Sequence, residues 1–289
     1  MRIHVRSLNT VSSNFPARTL LGILSFLVLS GFLQGSFAQS PTNGSARVFY
    51  PGERLQYKVS WLVFRLGTIV VTTEKLPNSS SRDEYRVVVR VDSNPALFFI
   101  NIHNEYESVL TTSPVRPSSF TARELSGSDT VVTRYVMDEN SRQVRMVQWR
   151  DPGRVHIREE ILDSVDAFYE GSSLFFLARS LVHSSRTVSV PTLVEFEFFK
   201  TDITFTNTVC AVSIDAKDED LETKELYGFA HFVESSLAGL SGEFRGWFSN
   251  DEAAIPLQAE LNLSLGTADI ELEQWSRGPW SPPLLREKK

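Results

Sequence analysis

The sequence predicts a mainly β protein: one large curved antiparallel sheet closing into a barrel-like body, with a single short helix packed against it or plugging it. Three observations carry this. Apolar and polar residues alternate with a period of two along most of the chain, clusters of Gly, Pro, Asn, Asp and Ser separate the alternating runs, and only one segment repeats at helical spacing. Successive side chains on a strand point to opposite faces, so alternation marks strands with one face in a core and one in water, as in antiparallel sheets. At 289 residues and 42% hydrophobic, the chain has ample apolar material for a core, which excludes wholesale disorder. Strands twist, so a sheet this wide curls rather than lying flat, and curling also removes exposed edges.

Residues 1–38 read as a secretory signal peptide. Arg2, Arg6 and Arg18 supply positive charge, no acidic residue precedes Glu53, and an apolar run extends from Leu20 to Leu33. Ser36 and Ala38 then stand at the −3 and −1 positions of a cleavage site after Ala38. The apolar run is shorter than the ~20 residues needed to span a bilayer. Cleavage removes three arginines and leaves 26 basic against 35 acidic side chains, a net charge of −9. An acidic balance disfavours nucleic acid, whose binding needs a basic surface to displace counterions. No later apolar run is long enough for a transmembrane helix, so the expected location is periplasmic or secreted. A single cysteine, Cys210, allows no intramolecular disulfide and no Cys-rich zinc site, and fits a bacterial envelope better than a eukaryotic secretory pathway.

Residues 39–46 form a short polar leader, and residues 47–275 are read as one β domain. Leu55, Tyr57, Val59 and Trp61 alternate with Gln56, Lys58 and Ser60; Tyr85, Val87, Val89 and Val91 alternate with Arg86, Val88 and Arg90. Similar runs cover 144–149 and 257–265. Turns are expected at Pro77-Asn78-Ser79, Ser126-Gly127-Ser128-Asp129, Asp151-Pro152-Gly153, Ser249-Asn250-Asp251 and Gly266-Thr267, giving about a dozen strands. The exception to period two is Gly171 to Val182, where Leu174, Leu177, Ala178 and Leu181 fall on one helical face and Ser172 or Ser173 is placed to cap the first turn. Residues 276–289 hold Pro279, Pro282 and Pro283 and are expected to form a flexible tail. Trp61, Trp247 and the phenylalanines are candidate core aromatics around an interior that is either filled or hollow.

Several stretches carry a family resemblance when taken in order. They are Tyr50-Pro51-Gly52-Glu53-Arg54-Leu55-Gln56-Tyr57 through Trp61, then Leu66-Gly67-Thr68, and then Asn104-Glu105-Tyr106-Glu107-Ser108. The helix Ser173 to Leu181 follows, with Arg179 near its end, and last come Arg245-Gly246-Trp247-Phe248-Ser249-Asn250-Asp251, Ile255-Pro256-Leu257 and Leu265-Gly266-Thr267. Together they resemble the bacterial envelope family of domain of unknown function 3108 (DUF3108). Residues 111–160 and 183–230 carry no matching motif. The resemblance implies an exported, mostly antiparallel β protein; it implies no chemistry and transfers no functional residue. Gly52 after Pro51 suits a turn position with positive φ, and Gly67 suits a bulge or close backbone approach.

A search for chemistry finds no catalytic constellation. His103, His156, His183 and His231 do not pair with one another at metal-binding spacing, and His231 and Glu234, three apart on a strand, face opposite ways. Glu105/Glu107, Glu195/Glu197 and Glu271/Glu273 are each two apart, which on a strand sets them on one face about 6.5–7 Å from each other, within range of a glycosidase pair. The residues between them, Tyr106, Phe196 and Leu272, are expected inward, leaving the glutamates in water. Gly239-Leu240-Ser241-Gly242-Glu243 lacks the final glycine of a nucleophile elbow. Cys210 is read as a buried inert thiol and Asp218-Glu219-Asp220 as a solvated turn. No phosphate loop or dinucleotide fingerprint occurs, and no metal or cofactor is expected.

The function expected from these readings is a non-enzymatic envelope binding or assembly factor, with a lipid or other apolar ligand, or another envelope protein, as partner. A curled antiparallel sheet can enclose an apolar cavity. The alternatives are an envelope glycan hydrolase using the paired glutamates, and a structural protein that exchanges a strand with a partner.

Overall fold

The computed structural model describes residues 45–77, 83–98, 101–184, 187–231, 240–263 and 266–285. The signal peptide, residues 39–44 of the leader, Asn78, Ser79, Glu234, Leu265 and residues 286–289 lie outside the described residues. A first helical turn, α1 (Ser45–Val48), precedes eight strands: β1 (Glu53–Trp61), β2 (Phe64–Lys75), β3 (Glu84–Ser93), β4 (His103–Thr112), β5 (Val115–Ser126), β6 (Asp129–Asp138), β7 (Gln143–Asp151) and β8 (Val155–Leu162). Helix α2 (Gly171–Leu181) follows. Six more strands complete the chain: β9 (Thr187–Val194), β10 (Glu197–Ile214), β11 (Lys217–His231), β12 (Leu240–Ser249), β13 (Pro256–Leu263) and β14 (Gly266–Ser276).

All described strands belong to one 14-stranded antiparallel sheet in the order β8-β7-β6-β5-β4-β3-β2-β1-β14-β13-β12-β11-β10-β9. Two meanders, β1–β8 and β9–β14, are therefore zipped together by the pairing of the first strand with the last, in a register that sets Val59 against Ile270 and Lys58 against Glu271. The sheet is rolled, as expected. The end of the β10–β11 hairpin returns to β13 and to the seam strands β14 and β1: Gln258 Nε2 donates to Ser213 O (2.7 Å), Asp215 N donates to Glu271 Oε1 (2.7 Å), and Asp215 also pairs with Lys58. On the other side, Tyr135 of β6 packs edge-on against Phe168 and Phe196, bringing the two wings together. The ends do not close by strand pairing. Instead Tyr169 bridges to β9, its N–H donating to Pro191 O (2.9 Å) while its carbonyl accepts from Leu193 N (2.8 Å).

The period-two pattern becomes the core face. Leu55, Tyr57 and Val59 of β1 and Val87, Val89 and Val91 of β3 are buried, and the residues between them are half-buried or exposed. Gly52 has φ +80°, as its turn requires. A Cβ at Gly67 would lie 2.3 Å from Asp92 O, so the close approach there admits only glycine, and the β1–β2 register shifts beside it. Helix α2 covers the interior, with Phe176, Leu177, Ala178 and Leu181 buried. No helix among the described residues is long and apolar enough to cross a membrane.

Several expectations are corrected. The described residues form 14 strands where about a dozen are expected, because the exposed β8 and the bulged β10 do not advertise themselves by alternation. The cap of α2 is Glu170, whose carboxylate accepts from Ser172 N (2.8 Å) and Ser173 N (3.0 Å), while Ser173 Oγ accepts from Glu170 N (2.7 Å). This is a capping box with the usual residue types exchanged. The acidic run Asp218-Glu219-Asp220 is exposed but opens β11 rather than forming a turn. Cys210 is half-buried rather than buried. Trp247 is half-buried beside the inward-facing Phe248, with the Arg245 guanidinium over its ring. The segment for which a flexible tail was expected is docked as far as Leu285: Glu222 N donates to Pro283 O and Leu285 N donates to Asp220 O, both at 2.8 Å. Proline lacks a donor but keeps its carbonyl, which suffices at a sheet margin.

Candidate ligand cavity beneath helix α2

An apolar cavity of about 170 Å³ lies between α2 and the rolled sheet. Its walls come from both meanders. Tyr57, Ile69, Val71, Val87 and Val89 enter from β1–β3, and Ile203, Leu226, Phe244, Phe248, Leu261 and Ile270 from β10–β14. Ser172, Phe175 and Ala178 of α2 form the roof. These strand residues reach the cavity because each sits at the inward parity of its strand. Gly228 contributes by absence: a Cβ there would lie 1.9 Å from Phe244 Cζ, so the Phe244 ring occupies the space over the glycine of the neighbouring strand.

Both ends of the roof are tied to the sheet by buried charged groups. At the N-terminal end, Glu170 is fully buried and accepts from Ser108 Oγ of β4 (2.9 Å) besides its two backbone donors. Burial holds this carboxyl above its ordinary value near 4.5, outweighing the donors that favour the ionised form. At the C-terminal end, Arg179 is 1% exposed and grips Glu53 of β1 with two bonds, Nη1 to Oε1 at 2.6 Å and Nη2 to Oε2 at 3.0 Å. Arg179 Nη2 also donates to Ala253 O (3.0 Å), and its guanidinium lies over the Phe176 ring, 4.9 Å from the centroid. Arg277, just beyond β14, donates to the same Glu53 carboxylate and to Val48 O (3.2 Å) and Arg47 O (2.8 Å). The Glu53 carboxylate thus joins the helix to the start of the tail, and Arg277 carries the link on to α1. Beside it, the Tyr57 hydroxyl is buried, and this burial raises its pKa far above the usual tyrosine range.

Sequence reasoning noted Arg179 but missed the roles of Glu53, Glu170 and Arg277. A signal existed for one of them, Glu53, and for its partner Arg179. Glu53 shares the inward parity of Leu55, Tyr57 and Val59, and Arg179 falls on the apolar arc of Phe175, Phe176 and Val182. Two opposite charges at core positions are expected to find one another.

The residues singled out for chemistry do not converge on the cavity. Glu105 is bound across strands by Arg90 (2.9 Å) and Arg123 (3.4 Å). Glu271 pairs with Lys58 (3.1 Å), and Glu273 receives Arg65 Nη1 (2.6 Å) and Nη2 (2.9 Å). Tyr106, Phe196 and Leu272 between the paired glutamates are buried. Glu195 is on the β9–β10 turn rather than on a strand, with φ 42°, and burial raises its pKa. His103 pairs with Asp92 (2.7 Å) and His231 with Asp202 (2.6 Å), apart from one another. Burial raises the pKa of the Cys210 thiol, which keeps it protonated. No group of three or more potential metal ligands occurs among the described residues. A second, polar groove of about 360 Å³ runs along Lys58, Trp247, Gln258, Glu260, Asp269 and Glu271. The lining of the apolar cavity is mostly hydrocarbon surface, with Ser172, Thr201, Arg245 and Gln258 as its polar members besides the Tyr57 hydroxyl.

A family model described as a protein of unknown function, DUF3108, matches residues 56–273. No curated protein matches the chain. Among solved structures, the chain is similar to a β-barrel-like protein of domain of unknown function DUF1849 from Brucella abortus, with 10% identity, 80% of this chain and 100% of that one covered, and a TM-score of 0.49. It is also similar to the hypothetical protein CT021 from Chlamydia trachomatis, with 11% identity, coverage of 86% and 98%, and a TM-score of 0.36.

Proposed function

We propose that this chain, which belongs to the DUF3108 family, is an exported envelope protein that binds an apolar ligand beneath α2 without chemically altering it. The single observation that carries the reading is the partly open apolar cavity of about 170 Å³ lined by both halves of the sheet and roofed by the helix. A comparable void of ~150 Å³ lined by aliphatic and aromatic side chains takes up benzene. The ligand group that enters is therefore a ring or the end of a hydrocarbon chain. The signal-peptide pattern of residues 1–38 supports a periplasmic or secreted location.

The test is uptake of benzene, followed as a rise in melting temperature, together with mass spectrometry of compounds released from the purified protein. The protein is expected to be stabilised by benzene and to release a hydrocarbon-bearing compound. Ala178→Leu, which places a larger side chain in the roof, should abolish the benzene response. A melting temperature indifferent to saturating benzene, with nothing released, would overturn the proposal.

A further inference from the structure

We infer that the free edge of β8 pairs with the β8 edge of a second copy of this chain, extending the sheet across a two-fold axis. β8 ends the sheet, and only β7 pairs with it among the described residues. The N–H and C=O groups on its far side form an open template for another strand. The other terminal strand, β9, is in contrast covered by the Tyr169 bridge. Val155 is 60% exposed, Ile157 44% and Ile161 54%, on one face of a strand that carries no proline to blunt the edge, with Glu159 the one charge between them.

The occupant follows from the side chains. A two-fold axis perpendicular to the sheet keeps every residue on its own face, so residue i can oppose only residues of the same parity. Two such registers overlap well. Centring on Arg158 sets Val155 against Ile161 and His156 against Glu160, but it also opposes Arg158 to Arg158 and sets Ile157 twice against the charged Glu159. Centring on Glu159 sets Ile157 against Ile161 and Arg158 against Glu160, each twice by symmetry. The central Glu159 pair is the only like-charge opposition, and each Glu159 is already neutralised by Arg145 of β7 (2.7 Å). Arg158 and Glu160 now satisfy one another within the strand (2.6 Å) and can exchange partners across the axis. The edge thus matches itself best in the register centred on Glu159, where no charge opposes an isoleucine. An eight-residue strand is a small contact, so the dimer is weak and concentration-dependent.

Sedimentation of the purified protein from about 1 μM to 1 mM should show a rising dimer fraction. Arg158→Glu and Glu160→Arg should each raise the dissociation constant about ten-fold or more by opposing like charges, and the two together should restore it. Glu159→Cys in a Cys210→Ser background should form a covalent dimer, because opposed residues lie within disulfide reach. Circular dichroism of the variants checks that each folds. A parent protein that stays monomeric throughout, together with a Glu159→Cys variant that does not cross-link, would overturn the proposal. A dimer that the double exchange fails to restore would overturn the register and with it the argument for self-pairing.

Discussion

Replacing Glu53 by Gln should be among the most damaging near-isosteric changes available to this protein. The substitution keeps the shape of the side chain and one acceptor, but removes the only negative charge in a cluster with two guanidinium groups, Arg179 and Arg277. All three side chains are at least nine-tenths buried, so water cannot replace the lost charge. Removing one partner of a buried ion pair costs about 3–5 kcal/mol, chiefly because the remaining charge stays buried without compensation. For a domain of this size each kcal/mol lowers the melting temperature by ~2–4 °C, which predicts a fall of about 6–20 °C.

Thermal unfolding followed by circular dichroism measures this, with Arg179→Met as the control. That variant leaves Glu53 paired with Arg277 and replaces the guanidinium by an apolar group, so it should cost less than Glu53→Gln. The double variant Glu53→Gln/Arg179→Met should be less damaged than the sum of the two, since the second change removes a charge orphaned by the first. A Glu53→Gln protein melting within about 2 °C of the parent, below the shift expected for 1 kcal/mol, would refute the reasoning. So would an Arg179→Met protein less stable than Glu53→Gln.

Gly228→Ala should force the Phe244 ring off the neighbouring strand and cost about 1–3 kcal/mol in urea unfolding; an unchanged midpoint would mean the ring has free space elsewhere. Gly67→Ala should cost more, since the obstructing atom is the Asp92 backbone carbonyl rather than a movable ring. Because burial raises the Glu170 pKa, the folded state retains a proton that the unfolded state has released, and stability falls as pH rises from about 4.5 toward the raised value. Glu170→Gln should flatten that limb, and parallel stability–pH curves for parent and variant would contradict it. Glu273 has the opposite sign: hydrogen bonds from Arg65 lower its pKa, so its contribution is present above about 4.5 and lost as pH falls through the lowered value, a loss that Arg65→Met should reduce.

Strands were legible wherever one face is wet and the other dry. In β1 and β3 the alternation of burial follows the alternation of residue types. β8 was harder because its exposure on both faces removes the contrast. Along β10 the register slips between Phe205 and Val209, which resets the parity partway. Helix α2 was legible by its period, but its cap was not, because Ser172, Ser173 and Glu170 are all competent to accept backbone hydrogen bonds and only tertiary burial selects Glu170. The cavity was not legible at all. Whether inward side chains fill a rolled sheet depends on where pairs such as Gly228 and Phe244 meet, and that is fixed by register between strands distant in sequence.

Magnitudes suggest why the cavity persists. At ~24 cal/mol per Å³ for a closed void, a partly open space of about 170 Å³ costs at most about 4 kcal/mol relative to a filled core, and that bounds the drive for α2 to settle into the sheet. Settling would shift the helix relative to two buried anchors: Arg179 on Glu53 at one end, and Glu170 with Ser108 at the other. Breaking the first alone costs about 3–5 kcal/mol, the same size as the gain from collapse. A helix held at both ends by groups that cannot move without losing a buried partner therefore keeps its height above the strands, and the space beneath it stays open. It follows that Glu53→Gln should weaken benzene uptake as well as stability, although Glu53 does not line the cavity; a destabilised variant that still binds benzene with parental affinity would show that the strands, not the anchored helix, hold the space open.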